Sequence, residues 1–240
     1  SSDLDWAIPV TDLSGIGAAE QTAAVQRHLQ AEADQSFDLA QGPLVRASLL
    51  FLGKSPATGM PEHILMFTLH HIVSDGWSTA ILIREFMALY AACRNDRSSP
   101  LAELPIQYAD YAVWQRQWLQ GEKLEHHLHY WKQQLAGAPP VLELPLDRPR
   151  PAVQSYRGAS HTLIVSPVLT ECLKTLGRQQ DATLFMVLLA AFNVLLSRHS
   201  GQQDICVGTP VANRNRLEIE GLIGFFVNTL VLRSEERRVG

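Results

Sequence analysis

The sequence predicts an α/β or α+β sandwich, because segments with the composition of β-strands alternate with segments in which apolar residues recur at helical spacing. Of the 240 residues, 46% are apolar and 18% are charged, which is the balance of a folded chain. General disorder is therefore excluded. Two neighbouring strand-like segments, separated by a loop rich in Gly, Pro and Ser, additionally predict a β-hairpin.

In the first half of the chain, an amphipathic helix-like segment is followed by two strand-like segments and three further helix-like segments. The hairpin strands are separated by the loop at residues 53–61. The helix that follows them is apolar on most sides, and we therefore expect it to be largely buried. In order, the predicted elements are a helix at 18–33, strands at 44–52 and 63–70, and helices at 77–93, 108–119 and 122–135.

The second half begins after a segment, residues 137–158, that contains five prolines and no sustained periodicity. This segment is the best candidate for a boundary within the chain. Pro167 stands where proline is tolerated, in the first turn of a helix. In order, the predicted elements are a strand at 161–165, helices at 167–179 and 183–198, and strands at 204–208 and 225–232.

Aromatic side chains at Tyr111, Trp114 and Trp118 fall on one face of the helix predicted at 108–119. This spacing favours core packing over stacking against a substrate. The strand predicted at 225–232 is likewise interpreted as core, in which the polar Asn228 requires a partner.

The charge and cysteine content exclude several classes of protein. The formal net charge is −4 without a basic stripe, so neither nucleic acid nor an anionic membrane is an expected partner. Cys93, Cys172 and Cys206 are odd in number and far apart, which fits a reducing cytoplasm without disulfides. The longest apolar run, residues 186–196, is too short to cross about 30 Å of hydrocarbon.

The most distinctive segment is residues 70–78, HHIVSDGWS, at the end of the second predicted strand. Because side chains alternate between the faces of a strand, His70 and His71 would face opposite sides if the strand continued that far. One histidine would then take part in the chemistry of a site, and the other would have a structural role. Gly76 would allow a tight turn and leave room for a substrate atom near the start of the next helix.

Asp75 lies in the turn of this motif, where a buried carboxylate requires a cationic or hydrogen-bonding partner. A purely structural interpretation is also open, in which a buried histidine pair holds the turn and Asp75 caps the next helix. A metal site at His70, His71 and Asp75 is disfavoured because adjacent strand residues diverge.

A second histidine cluster lies in the helix predicted at 122–135. We interpret it as a solvated helix face rather than a metal site. Its residues are His126, His127 and His129, beside Glu122 and Glu125.

The motif at residues 70–78 resembles the active-site motif of the condensation domains of non-ribosomal peptide synthetases. Residues 108–114, YADYAVW, resemble a second motif of that family, and residues 223–230, IGFFVNTL, with Arg233 resemble a third. The segment GTPVANR at 208–214 is also similar to family sequence. The matches keep the family's order, and the chain is identified as a member of it.

The resemblance implies a chloramphenicol-acetyltransferase-like fold, a two-lobe α/β sandwich. Residues 1–150 would form an incomplete N-terminal lobe with the histidine motif, and residues 151–233 an incomplete C-terminal lobe. Residues 234–240 would be a charged tail, either a terminus or a foreign continuation. Because motifs expected before Ser1 and after Leu232 are missing and no initiator Met is present, the chain is expected to be an internal fragment.

The function implied by the resemblance is amide bond formation in non-ribosomal peptide synthesis. A donor acyl or peptidyl thioester and an acceptor aminoacyl thioester would arrive on the phosphopantetheine arms of upstream and downstream carrier proteins. The domain itself would bind no cofactor, an adenylation domain would be adjacent, and the protein would be cytoplasmic. The residues Ile72, Val73 and Ser74 resemble the subtype that joins two L-residues.

The resemblance also assigns roles to individual residues. His71, Asp75 and Gly76 are the expected catalytic residues, with His71 as the catalytic histidine and Gly76 beside the reacting thioester. Arg214 is expected to form an ion pair with Asp75, and His70 to support the site structurally. The expected substrate-binding residues are Trp77, Ser78 and Asn228.

Two other functions are alternatives. A related acyltransferase of the same fold would use an alcohol or a soluble acyl thioester. A non-catalytic carrier-docking module, or an inactive fragment, would bind carrier proteins without forming product. Within the catalytic interpretation, His71 would act either as a general base or as a group that orients the amine.

Overall fold

The computed structural model describes residues 7–153 and 158–235, which divide into two compact units. Each unit combines segments that are distant in sequence. Unit 1 comprises residues 1–116 and 212–228, and unit 2 comprises residues 117–211 and 229–240. The division into lobes at residues 1–150 and 151–233 stays a prediction. Of the predicted tail, residues 236–240 lie outside the described residues.

Unit 1 contains a three-stranded sheet with the order β1, β2, β3. The strands are β1 (Val10–Asp12), β2 (Val45–Lys54) and β3 (Pro61–Leu69). β2 and β3 pair antiparallel, with Ala47 opposite Phe67, and confirm the predicted hairpin. The short β1, which the sequence analysis did not predict, pairs parallel with β2.

Four helices begin in unit 1, and three of them lie where the spacing of apolar residues predicts them. The fourth, α7, is only one turn long. Their bounds are α1 (Ala18–Asp34), α2 (Gly76–Arg94), α3 (Tyr108–Trp118) and α7 (Leu217–Glu220).

Two apolar clusters form the core of unit 1. In the first, α1 packs on the sheet, and Leu50 in β2 has 0% exposure. The second joins α3 to α7 and to the segment that follows α7, through Tyr111, Ile219, Leu222 and Phe226. The first cluster is built from Leu13, Ala24, Leu50 and Met66.

Unit 2 contains three helices and a two-stranded sheet of β4 and β5. Serine and threonine side chains cap two of the helices, since Ser166 accepts from the N–H of Leu169 and Thr183 from that of Met186. The bounds are α4 (Glu122–Gln134), α5 (Pro167–Gln179), α6 (Leu184–Ser200), β4 (Asp204–Val211) and β5 (Asn228–Glu235).

Arg233 connects the sheet of unit 2 to the end of α4. It forms an ion pair with Asp204 at 2.6 Å, and a second guanidinium nitrogen donates to the carbonyl oxygens of Gln134 and Ala136. This residue therefore has a structural use in unit 2.

Three expectations about secondary structure and burial are wrong. Residues 161–165 form no strand and are exposed, with Ile164 at 88%, because apolar β-branched composition does not by itself supply a pairing strand. The strand predicted at 225–232 begins only at Asn228, since Phe225 and Phe226 make other contacts. α2 is not largely buried: only Ser78, Ile81 and Ala92 are.

The aromatic face of α3 follows the prediction in part. Tyr111 is buried in the second cluster and Trp114 packs against it, as core residues. Trp118, at the end of the helix, is exposed at its surface. The histidines of α4 lie on an exposed face, as predicted.

Among the described residues, no single helix has the length and apolar composition needed to cross a membrane. The bent pair formed by α5 and α6 reaches that threshold only when its two helices are taken together.

We predict that Leu50→Ala lowers the free energy of unfolding by about 2–5 kcal/mol, because the substitution leaves a cavity in a fully buried position. Leu39→Ala, at an exposed leucine, is the matched control and should change it by no more than about 0.5 kcal/mol. Urea unfolding followed by circular dichroism measures both. Equal losses in the two variants would contradict this assignment of the core.

Candidate active site

The doubled histidine lies where β3 gives way to a short 3₁₀ helix, His71–Val73. The strand ends at Leu69, so the alternation of faces does not extend to the two histidines. The imidazole Nδ1 of His70 instead accepts a hydrogen bond from the N–H of Ile72 at 3.1 Å and caps the 3₁₀ helix. His70 thus holds the first turn of the 3₁₀ helix, and its role in supporting the site stays a prediction.

His71 is exposed and held through one ring nitrogen. Its Nδ1 lies 2.7 Å from the carbonyl oxygen of Ser74. Because a carbonyl oxygen only accepts, Nδ1 carries the hydrogen and donates it. In the neutral ring Nε2 then carries the lone pair, and no described residue forms a hydrogen bond to it.

Asp75 caps α2 and also lies at the centre of a buried polar network. Its Oδ1 accepts from the Ser78 N–H at 2.8 Å and from the Ser78 hydroxyl at 2.7 Å. Its Oδ2 accepts from the N–H of Phe226 at 3.0 Å. The capping interpretation of this residue and the buried-carboxylate interpretation therefore both hold.

Arg214 forms the expected ion pair with Asp75, with 3.2 Å between Nη2 and Oδ1. Both side chains are almost fully buried, at 1% exposure for Arg214 and 3% for Asp75. The other terminal nitrogen, Nη1, donates to the carbonyl oxygens of Ile219 and Leu222. The guanidinium also lies 4.1 Å from the ring centroid of Phe226, at cation–π distance.

The pKa of the Asp75 carboxyl is subject to opposing influences. Burial is the largest single influence and would raise this pKa. Hydrogen bonds from Ser78 and Phe226, together with the charge of Arg214, outweigh burial and lower the pKa below its ordinary value. Asp75 is accordingly an ionised carboxylate at neutral pH.

Ser78 has 0% exposure, which does not fit the predicted contact with a substrate. Its hydroxyl lies 2.7 Å from Asp75 and accepts from Arg214 Nη2 at 2.8 Å. It also contacts both the carbonyl and the N–H of Gly224. These contacts use its whole hydrogen-bonding capacity, so Ser78 belongs to the support of the site.

The remaining predicted residues are accessible. Trp77 is half-exposed, and its indole N–H donates to the Glu220 carbonyl oxygen at 3.1 Å. Gly76 is the first residue of α2 and its φ is not positive, so the backbone there does not depend on the conformational freedom of glycine. A Cβ at Gly76 would meet no atom within 4 Å. Asn228 is exposed at the start of β5.

The contact between Tyr108 and the segment at residues 224–226 was not predicted. The Tyr108 hydroxyl donates to the Phe225 carbonyl oxygen at 2.8 Å, and its ring lies against Gly224, where a Cβ would overlap it. Both partners belong to recognised motifs. Their pairing has no signal in periodicity because the two residues are far apart in sequence.

No three His, Cys, Asp or Glu side chains converge as metal ligands anywhere in residues 7–153 and 158–235. The histidine motif is thus organised around an ion pair and backbone groups.

Comparison with known proteins places this arrangement in a family. The sequence model of the condensation domain matches residues 2–239. The chain belongs to the condensation-domain family. One of the linear gramicidin synthase polypeptides from Brevibacillus parabrevis is 53% identical over 98% of the chain, and the match covers 4% of that protein.

Solved structures of condensation-domain proteins confirm the chloramphenicol-acetyltransferase-like α/β fold. The X-domain in complex with OxyB, from teicoplanin biosynthesis, has a TM-score of 0.81 and 27% identity over 95% of this chain and 48% of its own. A four-domain nonribosomal peptide synthetase bound to AMP and glycine has a TM-score of 0.75 and 29% identity, over 97% of this chain and 17% of its own. The chain therefore spans about half of the first structure and a small part of the synthetases.

We predict that Asp75→Asn lowers the free energy of unfolding by about 3–5 kcal/mol at pH 7, because the charge of Arg214 remains buried without its partner. Asparagine keeps the helix cap through its amide oxygen, but its NH₂ group cannot accept from the Phe226 N–H, so the loss includes that hydrogen bond. The folded pKa of Asp75 lies below its unfolded value of about 3.9. The stabilisation is therefore complete above that value and is lost as the pH falls through the folded pKa.

Urea unfolding of the wild type and of Asp75→Asn between about pH 3 and pH 7 measures the difference in their free energies of unfolding. This difference should shrink as the pH falls. Asp96→Asn, at an exposed position with φ 50°, is the control and should show a flat difference. A difference for Asp75→Asn that does not change with pH would be inconsistent with the ion pair.

We predict opposite outcomes for alanine at two glycines of the motifs. Gly224→Ala should lower the stability by about 1–3 kcal/mol, because the new methyl group overlaps the Tyr108 ring. Gly76→Ala meets open space and should change the stability by less than about 1 kcal/mol. Thermal unfolding of the two variants distinguishes them, and equal melting temperatures would refute the packing of Gly224 on Tyr108.

Proposed function

We propose that this condensation-domain chain catalyses amide bond formation between a donor acyl or peptidyl thioester and the amine of an acceptor aminoacyl thioester. Both substrates would be carried on the phosphopantetheine arms of carrier proteins. The observation that supports the proposal most directly is the state of His71: Nδ1 is held by the Ser74 carbonyl oxygen, and Nε2 is left available at the surface.

The proposed reaction requires a group that accepts a hydrogen bond from the amine. The amine nitrogen attacks the thioester carbonyl carbon, a C–N bond forms and the C–S bond breaks. The donor carrier's thiolate leaves, and the amine loses one proton, which ends on the thiol. His71 Nε2 accepts a hydrogen bond from the attacking amine and either takes this proton or orients the amine.

Asp75 is unsuited to the role of base because its pKa is lowered and both its oxygens are occupied. Its charge is also balanced by Arg214. We assign it, with Arg214 and Ser78, to holding the start of α2 and the 3₁₀ helix in place. His70 supports the same turn as the cap of the 3₁₀ helix.

We assign the accessible residues to the substrate side. Gly76 keeps the space beside the start of α2 free of a side chain. The indole N–H of Trp77 is already satisfied by the Glu220 carbonyl oxygen, which leaves its ring for apolar contact with a substrate. Asn228 would supply an amide to a substrate.

The proposed partners follow from the family. Upstream and downstream carrier proteins would deliver the substrates, and an adenylation domain would activate the acceptor residue. The relatives that support this are synthetases of which the match covers a small part. We also propose that the lobes extend over residues 1–150 and 151–233 and that the protein is cytoplasmic.

A second candidate function is docking of a partner protein without catalysis. One observation favours it: the X-domain, with a TM-score of 0.81, was solved in complex with OxyB. In that case the histidine motif would serve only the fold.

We predict that His71→Ala lowers the rate of amide formation by about 10²–10⁴, the range for loss of a positioned acid–base group. The measurement uses the native polypeptide that carries this chain, with loaded donor and acceptor carrier proteins, and detects the amide product by mass spectrometry. His63→Ala, at an exposed histidine of β3, is the control and should keep the wild-type rate.

Equal product from wild type and His71→Ala would eliminate a catalytic role for His71. Binding of loaded carriers without product from either protein would favour the docking function. Binding is measured by calorimetry with the same carrier proteins.

A further inference from the structure

We propose that Phe225 is a positioning residue that fixes the plane of the His71 imidazole. The two rings form a T-shaped pair, with 5.3 Å between centroids and 90° between planes. Aromatic pairs favour this edge-to-face arrangement over a face-to-face sandwich. The inference rests on the proposed function, because it concerns the histidine assigned to the amine.

A single hydrogen bond does not determine where Nε2 points. The bond from Nδ1 to the Ser74 carbonyl oxygen fixes one ring atom, but the imidazole can still tilt about that point. His71 is exposed and lies in a helix of three residues, so its own element adds little restraint. The Phe225 ring supplies a second contact and thereby restricts the tilt.

The backbone that carries Phe225 is held on both sides and at the residue itself. Its carbonyl oxygen accepts from the Tyr108 hydroxyl at 2.8 Å. The N–H of Gly224 donates to the Ser78 hydroxyl oxygen at 3.1 Å, and the N–H of Phe226 donates to Asp75. The Phe225 ring is therefore presented to His71 from a rigid segment.

Burial does not account for this aromatic residue. The next residue, Phe226, fills the apolar cluster with Tyr111, whereas Phe225 keeps 38% exposure and packs on His71. A large apolar side chain at a partly exposed position beside a catalytic group is explained by the contact that it makes there.

The test measures the amide-forming rate of Phe225→Ala, Phe225→Leu and Phe225→Tyr in the native polypeptide with loaded carriers. We expect Phe225→Ala to lower kcat about tenfold, the upper range for the loss of one aromatic pair, with KM for the acceptor carrier within about twofold. Phe225→Tyr should recover most of kcat because it keeps the ring, and Phe225→Leu should not. Tyr90→Ala, at an exposed aromatic of α2, is the control and should leave kcat unchanged.

A double-mutant cycle separates positioning from other roles. In the His71→Ala background, Phe225→Ala should have no further effect on kcat, because the ring to be positioned is gone. An equal loss of kcat in both backgrounds would overturn the proposal and indicate direct contact with substrate. An unchanged kcat in Phe225→Ala would overturn it as well.

A second measurement does not depend on amide formation. In NMR spectra of protein with ¹³C-labelled histidine, the His71 ring protons should show a ring-current shift that is lost in Phe225→Ala and Phe225→Leu and kept in Phe225→Tyr. The His71→Ala variant assigns the signal. If no amide forms but the shift behaves in this way, the proposed function fails while the positioning contact stands. Absence of the shift in the wild type overturns the contact itself.

Discussion

The buried ion pair between Asp75 and Arg214 joins two parts of unit 1 that are 139 positions apart in sequence. Removing such charges from water costs several kcal/mol per ion, which their attraction offsets only when further hydrogen bonds satisfy both groups. Asp75 receives bonds from Ser78 and Phe226 besides Arg214. Arg214 donates to two backbone carbonyls as well, although its buried Nε has no partner among the described residues. The pair therefore favours one arrangement of the segment around Arg214.

The polar network and the apolar cluster of unit 1 depend on each other. Phe226 donates its N–H to Asp75, while its ring packs 4.7 Å from that of Tyr111 and beneath the Arg214 guanidinium. Asn213, directly before Arg214, has φ 54°, a left-handed conformation that asparagine tolerates better than most residues. Because Phe226 takes part in both the polar network and the apolar cluster, loss of either charge of the ion pair would disturb its packing. Poor packing of Phe226 would in turn remove a hydrogen-bond donor from Asp75.

The sequence predicts those features of this chain whose signals are local. The hairpin and the helices α1 to α6 follow from spacing and composition within one segment. The pairing of Asp75 with Arg214 could be predicted only from resemblance to a family, because no periodicity in the sequence connects the two residues. Burial was predicted least well, since it depends on which surfaces meet. Ser78 lies in the motif but is fully enclosed, whereas the apolar α2 is widely exposed.

The support of His71 determines which chemistry suits the site. In a Ser-His-Asp triad, a carboxylate on Nδ1 stabilises the imidazolium that forms when a weak hydroxyl nucleophile is activated. Here Nδ1 donates to the neutral carbonyl of Ser74, and the nearby carboxylate of Asp75 is balanced by Arg214. The protein thus fixes the position of the ring through a neutral partner and not through a carboxylate. In the proposed reaction the neutral amine would be nucleophilic without prior deprotonation, so either role of His71, base or orienting group, would suit this support.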